Sequence, residues 1–372
     1  MRALRVLITN HFLRGRTGSE LYVCELATSL LERGHTPIVY SPQLGPTAHE
    51  LREATVPVVD NLDTIASPPD LIHGQHHVET MAALLRFPNT PAVFFCHGWL
   101  PWEETPPKHP RILHYVAVDD TCRDRLLWEN AVPEQRVSVI LNSVETEEFL
   151  PRPPLPGRPA RAAVFSNGGT HISAVREACL RTQLTLDVIG ADSGNVAMRP
   201  QDILGQYDIV FAKARCALEA LAVGSAVVLC DTVGVGPMVT TGEVDQLRRL
   251  NFGVRTLRGN LDPDVLEREI ARYDPRDAAE VSRRIRESAG REKAIDQIVA
   301  LYHDVLREFE TCERDPDAEA RAEAAYLQQL AIHLEEQRNT LMNSQTFRLR
   351  QRLLNLPLAG SLFRSLARKI KT

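Results

Sequence analysis

One carboxylate, two nearby cations and a set of histidines and glycines at the ends of apolar runs are the residues here whose types could do chemistry. Glu219 lies in FAKARCALEALAVG, a few residues past an apolar run and close to Lys213 and Arg215. A carboxylate in that position can accept hydrogen bonds from hydroxyl groups. Alternatively, it favours the start of its own helix through the dipole. Lys213 and Arg215 have the charge to neutralise a phosphate, or they are solvated surface groups. His97 ends the run AVFFC with Gly98 leaving room beside it, and His76 and His77 follow DLIHG. Adjacent residues send their side chains apart, so this pair is not expected to hold a metal. His73, inside the run, is expected to be packed. Gly15, Gly18 and Glu20 follow RVLITN, whereas Gly168, Gly169 and Asp192 follow later apolar runs. The first loop is neither a GxGxxG fingerprint nor a P-loop. Its glycines either let a ligand approach the backbone at a helix start or make a plain turn.

These positions require strands that end where the residues begin. RVLITN, PIVY, DLIHG, PAVFFC, HYVAVD and RVSVIL are short apolar runs that read as buried parallel strands. Between the first two, Val23, Leu26, Ala27, Leu30 and Leu31 form one helical face, and Gly34 fits a C-cap. PRPPLPGRPA (151–160) interrupts the alternation and reads as a linker. The pattern then restarts with RAAVFSN, LTLDVIGA, YDIVFA and SAVVLCD, separated by helices. The fold class is therefore α/β, with two Rossmann-like parallel-sheet domains facing a cleft and a helical, basic C-terminal extension. The expected domains are 1–150, a linker at 151–160, a shortened second domain at 161–310, and an extension at 311–372.

Composition narrows the function. With 372 residues, 44% hydrophobic and 24% charged, the chain is long enough for two such domains. A net charge of -5 argues against nucleic acid as the partner. Seven scattered cysteines without a CxxC pair read as free thiols, which fits a reducing compartment. The N-terminus enters a strand directly instead of forming a signal peptide, and no apolar stretch approaches a membrane span. A cytoplasmic location is the expectation.

Five segments in order resemble one family. TGSELYVCELATSLLERGH carries Gly18, Glu20, Leu26-Ala27 and Arg33-Gly34-His35, and it is followed by DLIHGQHH, VFFCHGW, VSVILNSVETEEFLP and ALEALAVGSAVVLCD. Over roughly residues 4 to 310 the chain resembles the retaining glycosyltransferases of the family-four-like, group 1 type, with the GT-B fold. The resemblance implies transfer of a sugar, with retention and without a metal, from a UDP- or GDP-linked donor to a glycan or lipid-linked acceptor. It suggests bacterial polysaccharide or glycoconjugate synthesis, with no cofactor beyond the nucleotide-sugar substrate. It implies that His97 and Glu219 are catalytic. From their places after strands, Gly18, Gly168, Gly169 and Asp192 are expected to bind the donor together with Glu219, with Lys213 and Arg215 replacing the family's missing phosphate-facing bases, and Glu20, His76 and His77 are expected to bind the acceptor. Thr17 stands where the family's first glycine is usual, and Ser143 and Glu145 replace a glycine and an aspartate. The family's second glutamate would lie eight residues before Glu219, where this chain has Phe211. FSNGGTHISAV lacks the usual phosphate-facing Arg and Lys. A non-catalytic GT-B binding module and another GT-B enzyme, such as a sugar-nucleotide epimerase, are the alternatives.

The extension carries two further expectations. Leu327, Leu330, Leu334 and Leu341, with Gln337, sit at heptad-like positions, so residues 320–342 could pair with a second copy. From Gln345 on there are seven Arg/Lys and no acids, and Leu362, Phe363, Leu366 and Ile370 share one side of a helix. Residues 345–372 fit either a helix on the inner face of the plasma membrane or one packed on protein.

Overall fold

The computed structural model describes residues 2–354, with side chains through Arg350. Of the described residues, those up to Pro106 together with Arg111–Cys312 form one compact unit, while Pro107–Pro110 and the described residues from Glu313 on form another.

The first unit begins with β1 (Arg5–Thr9), α1 (Gly18–Glu32), β2 (Thr36–Tyr40), α2 (Pro46–Glu53) and β3 (Val58–Val59). It continues with β4 (Leu71–Gly74), α3 (His77–Arg86), β5 (Ala92–Cys96), β6 (Ile112–Ala117), α4 (Asp120–Asp124) and β7 (Val137–Val139). These strands form a sheet in the order β3-β2-β1-β4-β5-β6-β7, all parallel. Burial on both faces explains the unbroken apolar character of RVLIT and AVFFC. α1 buries Val23, Leu26, Ala27 and Leu30 against that sheet. It ends in a Schellman motif, in which the N–H of His35 reaches Leu30 O at 2.9 Å and that of Gly34 reaches Leu31 O at 2.9 Å. Gly34 at φ 78° takes the left-handed position this motif requires.

The second sheet comes from β8 (Arg161–Phe165), α5 (Ile172–Arg181), β9 (Thr185–Ile189), β10 (Ile209–Ala212), α6 (Ala214–Val223), β11 (Ala226–Asp231) and β12 (Gly234–Met238). Its order is β12-β11-β10-β8-β9. The neighbours are parallel except β12, which pairs antiparallel with β11. The segment GVGPM carries no strand pattern, and its proline is tolerated because the strand lies at the sheet edge. α7 (Val244–Arg249), α8 (Pro263–Ile270), α9 (Pro275–Ser288) and α10 (Arg291–Thr311) follow.

Two expectations need adjusting. The proline-rich run is not a loose tether. Arg152 donates to Tyr207 O (2.5 Å) and Asp208 (3.1 Å), and the Ala160 N–H reaches Asp208 at 2.9 Å, which fastens the run along the second lobe. α10, read as part of the second domain, instead packs Ile295, Ile298, Val299, Tyr302 and Val305 into the core of the first lobe. The chain crosses between lobes twice, and the crossings lie side by side: Val144 N–H donates to Ala289 O (2.9 Å) and Arg291 N–H to Val144 O (3.1 Å).

The second unit contains α11 (Pro316–Asn343) and α12 (Gln345–Leu354). Asp315 caps α11 by accepting from the Ala318 N–H at 2.9 Å, with Pro316 at the first position. Leu327, Leu334 and Leu341 are exposed along it. The apolar face expected at Leu362, Phe363, Leu366 and Ile370 lies outside the described residues. Among the described residues no helix is long and apolar enough to cross a membrane.

Candidate functional site

Strand order reverses direction at β1/β4 in the first sheet and at β8/β10 in the second. Ligand sites in open parallel sheets form at such reversals, outside the carboxyl ends of the strands. Between the lobes lies a cleft of about 290 Å³, lined by Glu25 of α1, Asn167 after β8, and Arg215 and Glu219 of α6. That volume is close to the lower end of small-molecule pockets, ~300–1,000 Å³.

On the second lobe, Glu219 is not at the start of its helix as the sequence suggests. α6 begins at Ala214, so Glu219 stands beyond the first turn, out of reach of the strongest dipole effect. Its carboxylate is buried and accepts from Arg215 Nε at 2.7 Å. Arg215 also makes a two-pronged contact across the cleft to Glu25, Nη1–Oε2 at 2.8 Å and Nη2–Oε1 at 2.5 Å. Burial raises the Glu219 carboxyl above its ordinary range, against the pull of Arg215. Arg291, opening α10, pairs with Glu145 and lies 3.8 Å from Glu25. Lys213 pairs with Asp231 of β11. Burial alone would raise Asp231; the Lys213 bond and charge, the Thr232 backbone N–H and His171 together outweigh that and hold it below the ordinary carboxylate range. Both cations read as phosphate ligands are therefore already held by carboxylates.

The loops beside them are tightly fitted. Gly190, at φ 149°, has no room for a side chain, because a Cβ would fall 1.7 Å from Ser166 O. At Gly168 a Cβ would meet Thr232 at 2.7 Å, and at Gly169 it would meet Asp192 at 3.3 Å. Asp192 thus closes the side of the loop after β8. Ser166 Oγ bridges Asp231 (3.2 Å) and the Gly168 N–H (3.2 Å). Phe211 is fully buried in β10, and Lys213 alone separates that strand from α6. A connection this short leaves no loop on which a second glutamate could sit.

On the first lobe, Glu20 departs from its expected acceptor-binding role. Its buried carboxyl accepts from Gly15 N (2.7 Å), Thr17 N (2.9 Å) and Thr17 Oγ1 (2.8 Å). The free N–H groups at a helix start need such partners, so Glu20 braces the loop. Gly18, by contrast, has no protein atom within 4 Å of where a Cβ would stand, so nothing in the fold itself asks for a glycine there.

The histidines cluster at the carboxyl ends of β1, β4 and β5. His97 packs edge-on against Tyr22 at 4.4 Å, and burial holds its ring down to about 4. Its backbone N–H donates to Glu104 (3.1 Å), whose carboxyl burial pushes up to about 7. His76 and His77 both meet the short helical turn Trp102–Glu104: His76 faces Glu104 (3.8 Å), and His77 packs on Trp102 (4.2 Å). His76 is held down to about 3, first by burial and then by neighbouring histidines. His73 is fully buried with Nδ1 2.7 Å from the Tyr302 hydroxyl. Among the described residues no group of three or more His, Cys, Asp or Glu side chains is arranged to hold a metal ion.

Sequence reasoning missed His11, Glu25, Glu79, Glu104 and Asp231. His11 Nδ1 lies 2.9 Å from Glu79 Oε1, and its backbone N–H donates to His76 Nδ1 at 3.2 Å. His11 and Asp231 sit at strand ends, where a signal existed. Glu25, Glu79 and Glu104 belong to helical segments, and only the fold brings them in.

Residues 16–148 match the model of Glycosyltransferase Family 4. A sequence comparison with curated proteins gives no match. Among solved structures, a glycosyltransferase from Rickettsia africae is similar with a TM-score of 0.62 and 14% identity, covering 82% of this chain and 99% of that one. HepE from Anabaena in complex with UDP is similar with a TM-score of 0.61 and 14% identity, over 81% and 100% of the two chains. The same protein with UDP and glucose gives a TM-score of 0.58 at 15% identity, over 81% and 99%. At these identities the likeness is one of fold. Two facing Rossmann-like sheets with a helix returning to the first lobe make this a GT-B fold, and within its first lobe residues 16–148 are similar to Glycosyltransferase Family 4.

Proposed function

We propose that this protein transfers a sugar from a UDP- or GDP-linked donor to an acceptor hydroxyl. The observation that supports this best is the cleft where Arg215 and Glu219 of the second lobe meet Glu25 of the first. Glu219 would accept hydrogen bonds from donor hydroxyls. Arg215 and Lys213 would exchange Glu25 and Asp231 for the diphosphate. A guanidinium already engaged by a carboxylate in two-pronged geometry suits phosphate oxygens equally, so the exchange needs little reorganisation. Gly18, Gly168 and Gly169 would admit the donor near the backbone, with Asp192 at its side. His97 would stand by the transferred sugar, and His76 and His77 on the acceptor side.

The family resemblance adds finer parts to this reading: retention at the anomeric carbon, no metal requirement, and a place in bacterial polysaccharide or glycoconjugate synthesis. Residues 345–372 would bring the protein to a lipid-linked acceptor at the inner face of the membrane, and residues 320–342 would pair two copies. The full chain should release nucleoside diphosphate from one member of a panel of UDP- and GDP-sugars, without loss on adding EDTA. The product should keep the donor's anomeric configuration by NMR. The ion pairs already satisfying Lys213 and Arg215, together with Phe211, favour a second reading, a GT-B module that binds without turnover. Nucleotide binding with no release of diphosphate would support it, and an epimerised donor would overturn both readings.

A further inference from the structure

A cavity of about 350 Å³ lies on the second lobe and shares no lining residue with the cleft. Its volume is within the range of small-molecule pockets, ~300–1,000 Å³. The edge strand β12, α7, α8 and the turn at 254–259 frame it. The turn is pinned to the strand, since the Val235 N–H donates to Gly259 O at 2.9 Å and the Gly259 N–H to Val235 O at 2.7 Å. That pairing covers part of an otherwise open sheet edge. α8 is pinned to the same strand, because Glu269 accepts from the Met238 N–H at 2.7 Å. Hydrogen bonds of the fold therefore fix the walls.

The lining combines apolar surface with charge. Val235 and Leu247 are buried in the wall, and Pro237, Leu250 and Val265 are half-buried there. Glu243, Glu269, Arg255 and Arg258 supply the charges. Both carboxylates are already paired: Arg272 donates to Glu243 at 2.5 Å and to Glu269 at 2.7 Å, and Glu243 also accepts from Thr240 Oγ1 at 3.1 Å. Arg258 has no carboxylate partner among the described residues. Its Nε donates to the backbone oxygen of Arg255 at 3.3 Å, which leaves the outer prongs of the guanidinium open. Arg255 reaches Asp124 of the first lobe at 2.6 Å, but both partners are 40% exposed. A pair so open to water is worth little and exchanges readily. One open guanidinium and one loosely held one, beside apolar surface and neutralised acids, suit an anion carried on an apolar body.

We propose that this pocket binds a small anionic ligand, a carboxylate or phosphate head on an apolar or ring-shaped body, whose head bonds Arg258 and draws Arg255 away from Asp124. The Arg255–Asp124 pair joins the lobes, so a ligand that never enters the cleft loosens one of their attachments. The site stands independently of the glycosyl-transfer reading.

The test uses the full chain labelled at its leucine and valine methyls. It is titrated with phenyl phosphate, with benzoate and with uncharged benzyl alcohol, and read by methyl NMR. At least one of the two anions should shift the methyls of Val235, Leu247, Leu250 and Val265. It should bind at least about fivefold more tightly than benzyl alcohol, the worth of a charge-assisted contact. Arg258→Ala should remove most of that advantage with the melting temperature unchanged. Asp124→Asn, which releases Arg255, should tighten the anion about twofold to fivefold, and in an Arg255→Ala background the same change should do nothing. The proposal is overturned if the anions shift no methyl of the pocket, or if they shift only cleft methyls such as those of Leu21 and Val196. Equal affinity for wild type and Arg258→Ala overturns it as well, and an affinity that ignores Asp124→Asn sinks the exchange at Arg255.

Discussion

The two strand reversals are equivalent places in two similar sheets, yet they are furnished in opposite ways. In the second lobe every cation named here is matched to a carboxylate: Lys213 to Asp231, and Arg215 to Glu219 and Glu25. In the first lobe the polar groups are chiefly histidines held neutral by burial, beside amide atoms without a hydrogen-bond partner and beside Glu104, whose neighbouring cation Arg125 is bonded to backbone carbonyls. One site stores charge and the other stores hydrogen-bonding capacity. This division suits a donor that carries a diphosphate and an acceptor that carries hydroxyls, and it can be attacked from either side.

The largest expected effect is at Gly190. Alanine there drives a Cβ into the Ser166 carbonyl, at a backbone angle side chains avoid, and should cost about 3 kcal/mol or more. Denaturant unfolding should register the loss, and UDP binding should fail in the folded fraction. Next is Arg215→Ala, which strands the nearly fully buried Glu219 and leaves Glu25 only its longer contact to Arg291. Breaking such a pair costs 3–5 kcal/mol when fully buried; with Arg215 and Glu25 a fifth to a quarter exposed, about 2 kcal/mol is expected, with UDP affinity falling more than tenfold.

The first lobe should respond to acid instead. His97 and His76 stay neutral in the fold down to about 4 and about 3, whereas the unfolded chain takes up those protons from 6.5. Their contribution is complete above 6.5 and is lost as pH falls through 4. Glu104 works the other way. Held up to about 7, it keeps a proton that the unfolded chain releases from 4.5, so its contribution declines between 4.5 and 7. The histidines outnumber it, so stability should fall from pH 6.5 to 4.5. Glu104→Gln should steepen that fall and His97→Phe should flatten it, as measured by urea midpoints.

A smaller effect sharpens the proposed exchange: Glu25→Gln frees Arg215 and should raise UDP affinity a few-fold in calorimetry; no change would argue that Arg215 does not reach phosphate. The smallest effect is at Arg255→Ala. Its pair with Asp124 joins the lobes, but both partners are 40% exposed, so a change below about 1 kcal/mol is expected.

Much of this was legible in the sequence, for reasons that differ by residue. RVLIT, AVFFC and AVVLCD announce buried parallel strands because burial on both faces removes alternation. Gly34 announces a helix end because the Schellman turn needs a left-handed residue. β12 was silent, since an edge strand containing glycine and proline has no period to read. Glu20 misled because a carboxylate in a loop looks like a ligand group until its three donors are seen. Glu25 and Arg215 are 190 residues apart, so only the packing of α1 against α6 could unite them. His11 has no motif around it that marks its role, because its partner Glu79 lies 68 residues away and only the fold brings the two together.

The side-by-side crossings have a consequence for how the molecule is made. The first lobe's core includes Ile295, Ile298, Val299 and Tyr302, and the Tyr302 hydroxyl closes on His73. These residues leave the ribosome roughly 150 positions after β7 is complete, a delay on the order of ten seconds at ordinary synthesis rates. For that interval the first sheet is fully threaded but open on the side that α10 covers, while the entire second lobe emerges and folds. In order of assembly, the second lobe is an insertion within the first. A fragment stopped at the first crossing should be sticky and incomplete, whereas a graft of residues between the two crossings could exchange one lobe and leave the other whole.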